Sequence, residues 1–104
     1  MRGDLYRLTA PRDVQGHEQR GARYAVVVQS DAVQLSTVLV TPTSTGSFPA
    51  VFHPEIEVDG ARSVVLVEQA TAFAPERLGT FAGRLKALEV AAIDDALRTV
   101  FGLF

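Results

Sequence analysis

Ionisable residues that could do chemistry gather at the end of one polar stretch near the beginning of the chain. They are His17, Glu18, Arg20 and Arg23. Proline and glycine interrupt this stretch from residue 9 to residue 22, which predicts a long loop. Long loops in small domains are commonly functional, and a guanidinium binds phosphate or carboxylate with two parallel hydrogen bonds. We therefore expect a functional site here first.

Charge and composition exclude several other kinds of function. The 104 residues have a formal net charge of −2, so no overall cationic field attracts the chain to nucleic acid or to a membrane. Residues 1–30 carry +2 and residues 31–104 carry −4, so any site for a polyanion must be local. The absence of cysteine excludes disulfides, thiolate zinc sites and cysteine nucleophiles. No apolar run approaches the roughly 20 residues of a membrane span, and we expect a soluble cytoplasmic protein.

The apolar pattern predicts five or six short strands and then one helix. The strands are expected at Leu5–Leu8, Tyr24–Val28, Ser36–Thr41, Ala50–Val58, Ser63–Val67 and Thr80–Leu85. Pro42 is expected to close the third strand, and residues 43–47 to form a polar turn. From Ala87 onward apolar residues recur at helical spacing. These elements predict a mainly β (α+β) fold: one domain with a small antiparallel barrel or half-barrel against which the helix packs.

Short motifs follow one another along the chain in an order that is recognisable. They are Arg2–Tyr6, Gly16–Gln19, Arg23–Asp31, Pro42–Thr45, Val67–Gln69, Glu76–Gly79, Gly83–Leu85 and Ile93–Leu97. Together they resemble the MazF/PemK toxins of bacterial toxin–antitoxin modules. The resemblance implies a single domain over residues 1–104, with an SH3-like barrel and a C-terminal helix. It also implies a homodimer that cleaves single-stranded RNA without metal or cofactor, restrained by a cognate antitoxin.

The catalytic positions of that family fall on Arg23, Thr43 and Glu18. Arg23 would stabilise the charge that a phosphodiester gains in the transition state, because a fixed guanidinium suits that role. Thr43 would donate its hydroxyl hydrogen to a phosphate oxygen. Glu18 and His17 are the candidates for acid or base, although Glu18 could instead pair with Arg20 or Arg23 and order the loop.

The RNA-binding positions implied by the resemblance are His17, Gln19, Arg20, Ser44 and Gln69. Single-stranded RNA is read by stacking and by hydrogen bonds to base edges. Tyr24, Phe48 and Phe52 are further candidates for base contacts. His53 is expected to be a structural or edge residue rather than a metal ligand, since two histidines 36 positions apart make no metal motif.

Two positions depart from the family pattern and leave other functions open. Tyr24 stands where the family usually has proline after its arginine, and Ala70–Thr71 follow Gln69 where an aliphatic residue and a cation are common. The main alternative is therefore a toxin of the same fold without nuclease activity. Such a toxin would act on a protein such as gyrase, as the related CcdB toxins do, or would serve as a decoy for the antitoxin. A plain SH3-like peptide-binding module is a third possibility.

Overall fold

A computed structural model describes residues 1–8 and 23–103, where one curled antiparallel sheet carries a single C-terminal α-helix. The elements are β1 (Asp4–Leu8), β2 (Tyr24–Val27), β3 (Val38–Ser44), β4 (Glu55–Val58), β5 (Ala61–Val65), β6 (Thr71–Phe73), β7 (Leu78–Arg84) and α1 (Ala87–Phe101). Single 3₁₀ turns lie at Val67–Gln69 and Pro75–Arg77. The strand order is β4-β5-β3-β2-β1-β7, and β6 pairs with β3. The predicted mainly β fold is confirmed, with seven strands in the described residues rather than five or six.

Strand β3 runs through Pro42 instead of ending before it, so the predicted turn at residues 43–47 begins too early. The first half of β3 pairs with β6 over Val38–Val40, whereas Thr43 and Ser44 pair with β5. Pro42 lies between these two segments, and its carbonyl accepts a hydrogen bond from Leu66 N at 2.9 Å. A proline is tolerated where a ladder is interrupted. The change of neighbouring strand therefore allows β3 to continue as far as Ser44.

Two further predictions needed correction, and one strand was not predicted. The strand expected at Ala50–Val58 is only β4, because two prolines bracket residues 50–53 and proline donates no ladder hydrogen bond. The strand expected at Ser63–Val67 starts earlier and ends at Val65, and Val67–Gln69 form a 3₁₀ turn. Strand β6 was not predicted, since three residues show no clear alternation.

The sheet has two faces, which we call the helix face and the distal face. The helix face carries the larger buried cluster: Leu5, Val26, Ile56, Val58, Val65, Val67 and Leu85, covered by Ile93 and Ala96 of α1. The distal face carries Ala25, Val27 and Val40, flanked by side chains that are only partly buried. Apolar burial stabilises a fold by about 25 cal/mol per Å². Most of that stabilisation therefore comes from the helix face.

Polar contacts fix both ends of the described chain to the sheet. The Glu89 carboxylate accepts from Lys86 N at 2.8 Å and from Glu57 N at 2.9 Å, which satisfies a free N–H at the helix start and joins α1 to β4. Asp4 is buried and accepts from Arg84 Nε at 2.9 Å and from the Met1 ammonium at 3.0 Å. Within the described residues, no helix combines the length and apolar character needed to cross a membrane.

Candidate active site

Arg23 is exposed and lies immediately before β2, where the backbone already belongs to the sheet. Its carbonyl accepts a hydrogen bond from Leu8 N at 2.7 Å, which continues the β1–β2 ladder one residue past the pair Arg7↔Tyr24. The apolar, β-branched sequence of β2 makes a buried strand. Its first residues are thereby held between two neighbouring strands, and the guanidinium is attached to a rigid element.

The register of β2 and β3 determines which hydroxyl shares a face with Arg23. The pairs are Ala25↔Pro42, Val26↔Thr41 and Val27↔Val40. If this register is extended past Pro42, Tyr24 falls opposite Thr43 and Arg23 falls opposite Ser44. Side chains alternate between faces along a strand. Arg23 and Ser44 therefore share the distal face, whereas Thr43 lies on the helix face.

Thr43 is buried and its hydroxyl serves the sheet. It pairs with Val65 of the helix-face cluster, and its Oγ1 donates to the carbonyl of Tyr24 at 3.4 Å. Most such bonds are shorter than 3.2 Å, so this one is long. In the described arrangement Thr43 therefore supports the contact between β2 and β3, on the side of the sheet away from Arg23.

Ser44 is half-buried at the end of β3 and has a different set of contacts. Its Oγ accepts from Gly46 N and from the Ser47 hydroxyl, both at 3.1 Å. A hydroxyl has two acceptor lone pairs and one donor hydrogen. With both lone pairs occupied, Ser44 can offer its hydrogen to an oxygen of a ligand on the distal face.

Tyr24, which stands where the family has proline, packs partly buried against the helix-face cluster. Its hydroxyl donates to Asp59 Oδ2 at 3.2 Å. Asp59 and Gly60 form the β4–β5 turn with φ angles of +52° and +78°, as the Asp-Gly dipeptide predicts. Tyrosine therefore joins β2 to this hairpin, and the backbone of Arg23 still pairs with β1.

Gln69 is exposed at the end of the 3₁₀ turn and not, as expected, at the end of a strand. Leu66 leaves the sheet, and Gln69 N donates to the Leu66 carbonyl at 2.9 Å. Ala70 and Thr71 then lead directly into β6. The side chain of Gln69 thus projects from a turn whose first residue, Val67, is fully buried.

Four candidate residues lie outside the described residues: His17, Glu18, Gln19 and Arg20. Their predicted roles stay predictions. In the described parts of the chain, no group of three or more His, Asp or Glu side chains is arranged to hold a metal ion.

One polar pair near Gln69 was missed by the sequence analysis. His53 Nε2 lies 2.9 Å from Glu68 Oε1, and His53 Nδ1 lies 3.3 Å from the Phe48 carbonyl oxygen. Burial acts to raise the pKa of Glu68, but the hydrogen bond and positive charge of His53 lower it below its ordinary value. The expectation that His53 is structural agrees with its backbone bridge to Ala50. Glu68 lies 15 positions further along the chain, and no sequence pattern links it to His53.

Solved structures share this fold across almost the whole chain. A mycobacterial endoribonuclease, solved in complex with its cognate antitoxin, superposes with a TM-score of 0.80 at 20% identity, covering 100% of this chain and 96% of that one. The Mycobacterium tuberculosis toxin MazF-mt6 gives 0.75 at 19% identity, covering 97% and 98%. MazF from Deinococcus radiodurans gives 0.75 at 22% identity, covering 98% and 96%. At these identities the likeness establishes the fold.

Comparison of sequences shows the family of the chain as well as its fold. A Mycobacterium tuberculosis protein assigned as a toxin is 49% identical over 69 residues, which cover 66% of this chain and 65% of that relative's length. The match thus spans less than two thirds of the relative. The model of the PemK-like, MazF-like toxins of type II toxin–antitoxin systems matches residues 1–101. With almost every residue of the sheet and helix inside that match, the chain belongs to the PemK-like, MazF-like toxin family.

Proposed function

We propose that this chain is a metal-independent, sequence-specific endoribonuclease that cleaves single-stranded mRNA as the toxin of a type II toxin–antitoxin system. The observation that carries the proposal is the register of β2 with β3, from which Arg23 and Ser44 fall on the same face at the ends of two neighbouring strands. Family membership and the endoribonucleases among the solved relatives support it. The cytoplasm, where mRNA is translated, is the proposed compartment.

The proposed reaction uses the RNA itself as the nucleophile. A base accepts the 2′-hydroxyl proton as the 2′-oxygen attacks the adjacent phosphorus. The bond from phosphorus to the 5′-oxygen breaks, and an acid protonates the departing 5′-oxygen. The products are a 2′,3′-cyclic phosphate and a free 5′-hydroxyl. This chemistry requires stabilisation of the charge that accumulates on the phosphate oxygens.

Arg23 is assigned to that stabilisation. A guanidinium remains charged throughout the physiological pH range and can hold two phosphate oxygens at once. It is for the same reason a poor general base. Proton transfer is proposed for Glu18 and His17 of the preceding loop.

Two adjacent hydroxyls compete for the phosphate contact. The resemblance assigns it to Thr43, whereas the strand register favours Ser44, because Ser44 shares the face of Arg23 and has a hydrogen to donate. We assign the direct contact to Ser44 and the support of the strand pair to Thr43. Gln19, Arg20 and Gln69 remain proposed RNA contacts.

The proposed partners follow from the same site. A homodimer and a cognate antitoxin are the expected assembly, and the antitoxin would inhibit by covering the cationic end of β2. An extended or helical peptide segment with acidic groups could compete there with RNA.

Cleavage in EDTA tests the proposal directly. The wild-type protein should cut a long single-stranded RNA and leave 5′-hydroxyl ends that a kinase can label without prior phosphatase treatment. Arg23→Ala should lower the rate roughly 10²- to 10³-fold while keeping its thermal transition, since loss of a preorganised charge partner has that effect. The matched control is Arg7→Ala, which removes an exposed arginine of β1 that pairs with Tyr24 on the helix face.

The outcomes separate the candidate functions. If Arg7→Ala and Arg23→Ala lower the cleavage rate equally, the role of Arg23 is general attraction of the RNA by positive charge. Cleavage that needs an added divalent ion would contradict the mechanism. Intact RNA together with trapped DNA–gyrase complexes would favour the toxin without nuclease activity.

A further inference from the structure

The loop between β3 and β4 exposes three large apolar side chains directly after Ser44. Phe48 is 86% exposed, Val51 76% and Phe52 42%. Within this loop, the Ser47 hydroxyl lies 3.1 Å from Ser44 Oγ, so Phe48 follows a residue in contact with the candidate site. Three such side chains within five residues form an apolar patch of the kind that marks a binding surface.

This loop is tied down rather than loose. Ala50 and His53 form a two-way backbone bridge, with N–O distances of 3.3 and 2.9 Å. The His53 ring approaches the Phe48 carbonyl oxygen with Nδ1 and both Glu68 carboxylate oxygens with Nε2, at 2.9 and 3.0 Å. The Phe52 ring meets the same imidazole edge-on, with centroids 4.6 Å apart.

We call the contacts of His53 with the Phe48 carbonyl and with the Glu68 carboxylate the clasp. A carboxylate can only accept, so Nε2 carries the hydrogen that it donates to Glu68, while Nδ1 lies near the Phe48 carbonyl oxygen. Glu68 belongs to the 3₁₀ turn whose first residue, Val67, is fully buried in the helix-face cluster. His53 therefore connects the backbone of Phe48 to the core, next to Gln69.

We propose that His53 and Glu68 are positioning residues that hold Phe48 as a stacking surface for an unpaired base of the RNA, beside Arg23 and Ser44. This inference rests on the proposed function. An aromatic ring held in place binds a base without the entropy cost of ordering the ring. Any of the four bases can stack on it, and its fixed place determines which nucleotide of the RNA does so. Gln69, next to Glu68, would lie within the same surface and can hydrogen-bond a base edge.

The experiment uses the full chain and a pool of single-stranded RNA with random sequence, with the 5′-hydroxyl ends mapped by sequencing. Phe48→Ala should relax the sequence preference at one position of the cut site, because a base that no longer stacks there presents its edge less well to Gln69. On a short RNA that carries the mapped site, the same variant should raise KM roughly five- to a hundredfold with kcat nearly unchanged. Phe48→Tyr, which retains an aromatic ring, should restore both. Leu88→Ala, which removes a similarly exposed apolar side chain (85%) from α1, should cut like the wild type.

Glu68→Gln tests the clasp itself. It should raise KM several-fold and speed hydrogen exchange at the Ala50 and His53 amides, because an amide replaces the carboxylate that accepts the hydrogen bond of His53 Nε2. In the Phe48→Ala background, Glu68→Gln should have no further effect on KM, since the clasp acts through that ring. A merely structural role would not give this lack of additivity.

Each contrary result has a defined meaning. If the wild type cuts the pool and Phe48→Ala leaves the profile and KM unchanged, the inference is overturned while the proposed function stands. The same holds if Phe48→Ala weakens only antitoxin binding, or if Glu68→Gln leaves the loop amides as protected as before. An RNA pool left intact by the wild type overturns the proposed function and the inference together.

Discussion

The two faces of the sheet differ in how much apolar surface they bury and in which candidate site residues they bear. The helix face buries nine apolar residues from the sheet, the 3₁₀ turn, α1 and the residue that joins β7 to α1, whereas the distal face buries three residues and bears Arg23 and Ser44 at its edge. Neighbouring residues of one strand serve these different ends, as Thr43 and Ser44 illustrate. A site on the less buried face can change its side chains without opening a cavity in the main core.

The largest expected effect comes from breaking the helix face. Ile93→Ala should lower the free energy of unfolding by about 2–5 kcal/mol, because Ile93 is 2% exposed and its removal leaves a cavity. Leu88→Ala on the same helix is the control, since Leu88 is 85% exposed and should change stability by less than about 0.5 kcal/mol. Urea denaturation measures both. Similar losses for the two variants would mean that the helix does not pack as described.

The next effect separates the two hydroxyls. Ser44→Ala should lower the cleavage rate by roughly 10- to 100-fold with little change in stability, since it removes a hydrogen bond to a charged phosphate. Thr43→Val keeps the shape of the side chain and should cost about 0.5–1.5 kcal/mol of stability with near-normal cleavage. Rates in EDTA and urea midpoints give the comparison. The reverse pattern would move the phosphate contact to the helix face.

A smaller effect concerns the charge at the start of β1. Burial acts to raise the pKa of Asp4, but hydrogen bonds and charges from the Met1 ammonium and Arg84 lower it below its ordinary value. Because the pKa of Asp4 is lower in the folded than in the unfolded chain, the ionised carboxylate stabilises the fold above about pH 4. This stabilisation is lost as the pH falls through the folded pKa. Asp4→Asn should therefore cost about 1–2 kcal/mol at pH 7, and less near pH 3, where the pH has fallen below the ordinary pKa of the group.

The control for Asp4 is Asp95→Asn, which breaks an exposed pair with Arg98 on α1. Exposed pairs contribute about 0–1 kcal/mol, so little change is expected at either pH. Urea denaturation at both pH values tests the prediction. If the loss for Asp4→Asn persists at low pH, the shape of the side chain rather than its charge supports β1.

The smallest expected effect is at Tyr24. Tyr24→Phe removes the hydrogen bond to Asp59 and should cost about 0.5–1 kcal/mol, because this bond is exposed. Cleavage should stay within about twofold of the wild type, since the strand register and not the hydroxyl positions Arg23. A large loss of cleavage would show instead that the link to the β4–β5 hairpin helps to aim the arginine.

Strong local patterns were sufficient to predict much of the fold. The apolar, β-branched run of β2, the Asp59-Gly60 turn and the helical spacing after Ala87 each appear where the sequence indicates them. Predictions failed where a neighbouring strand decided the outcome. The sequence around Pro42 predicts the end of a strand, because proline lacks the N–H that a ladder needs. The strand continues because the partner of β3 changes from β6 to β5 at this proline.

The candidate site divides in the same way. The residue types of Arg23, Thr43, Ser44 and Gln69 were recognisable from the motifs in which they occur. Which of the two hydroxyls shares a face with Arg23 depends on strand register, and a shift of one residue would exchange them. The His53–Glu68 clasp joins residues 15 positions apart across a loop and a turn, with no periodicity to signal it.

By itself, the sequence determined the strand-rich fold, the C-terminal helix and the family to which the chain belongs, because these depend on local pattern and on motif order. Tertiary structure alone decided which strands pair, where β3 ends, which hydroxyl faces the arginine and what holds the aromatic loop. Those features arise from contacts between residues far apart in the chain, and local propensity carries no information about them.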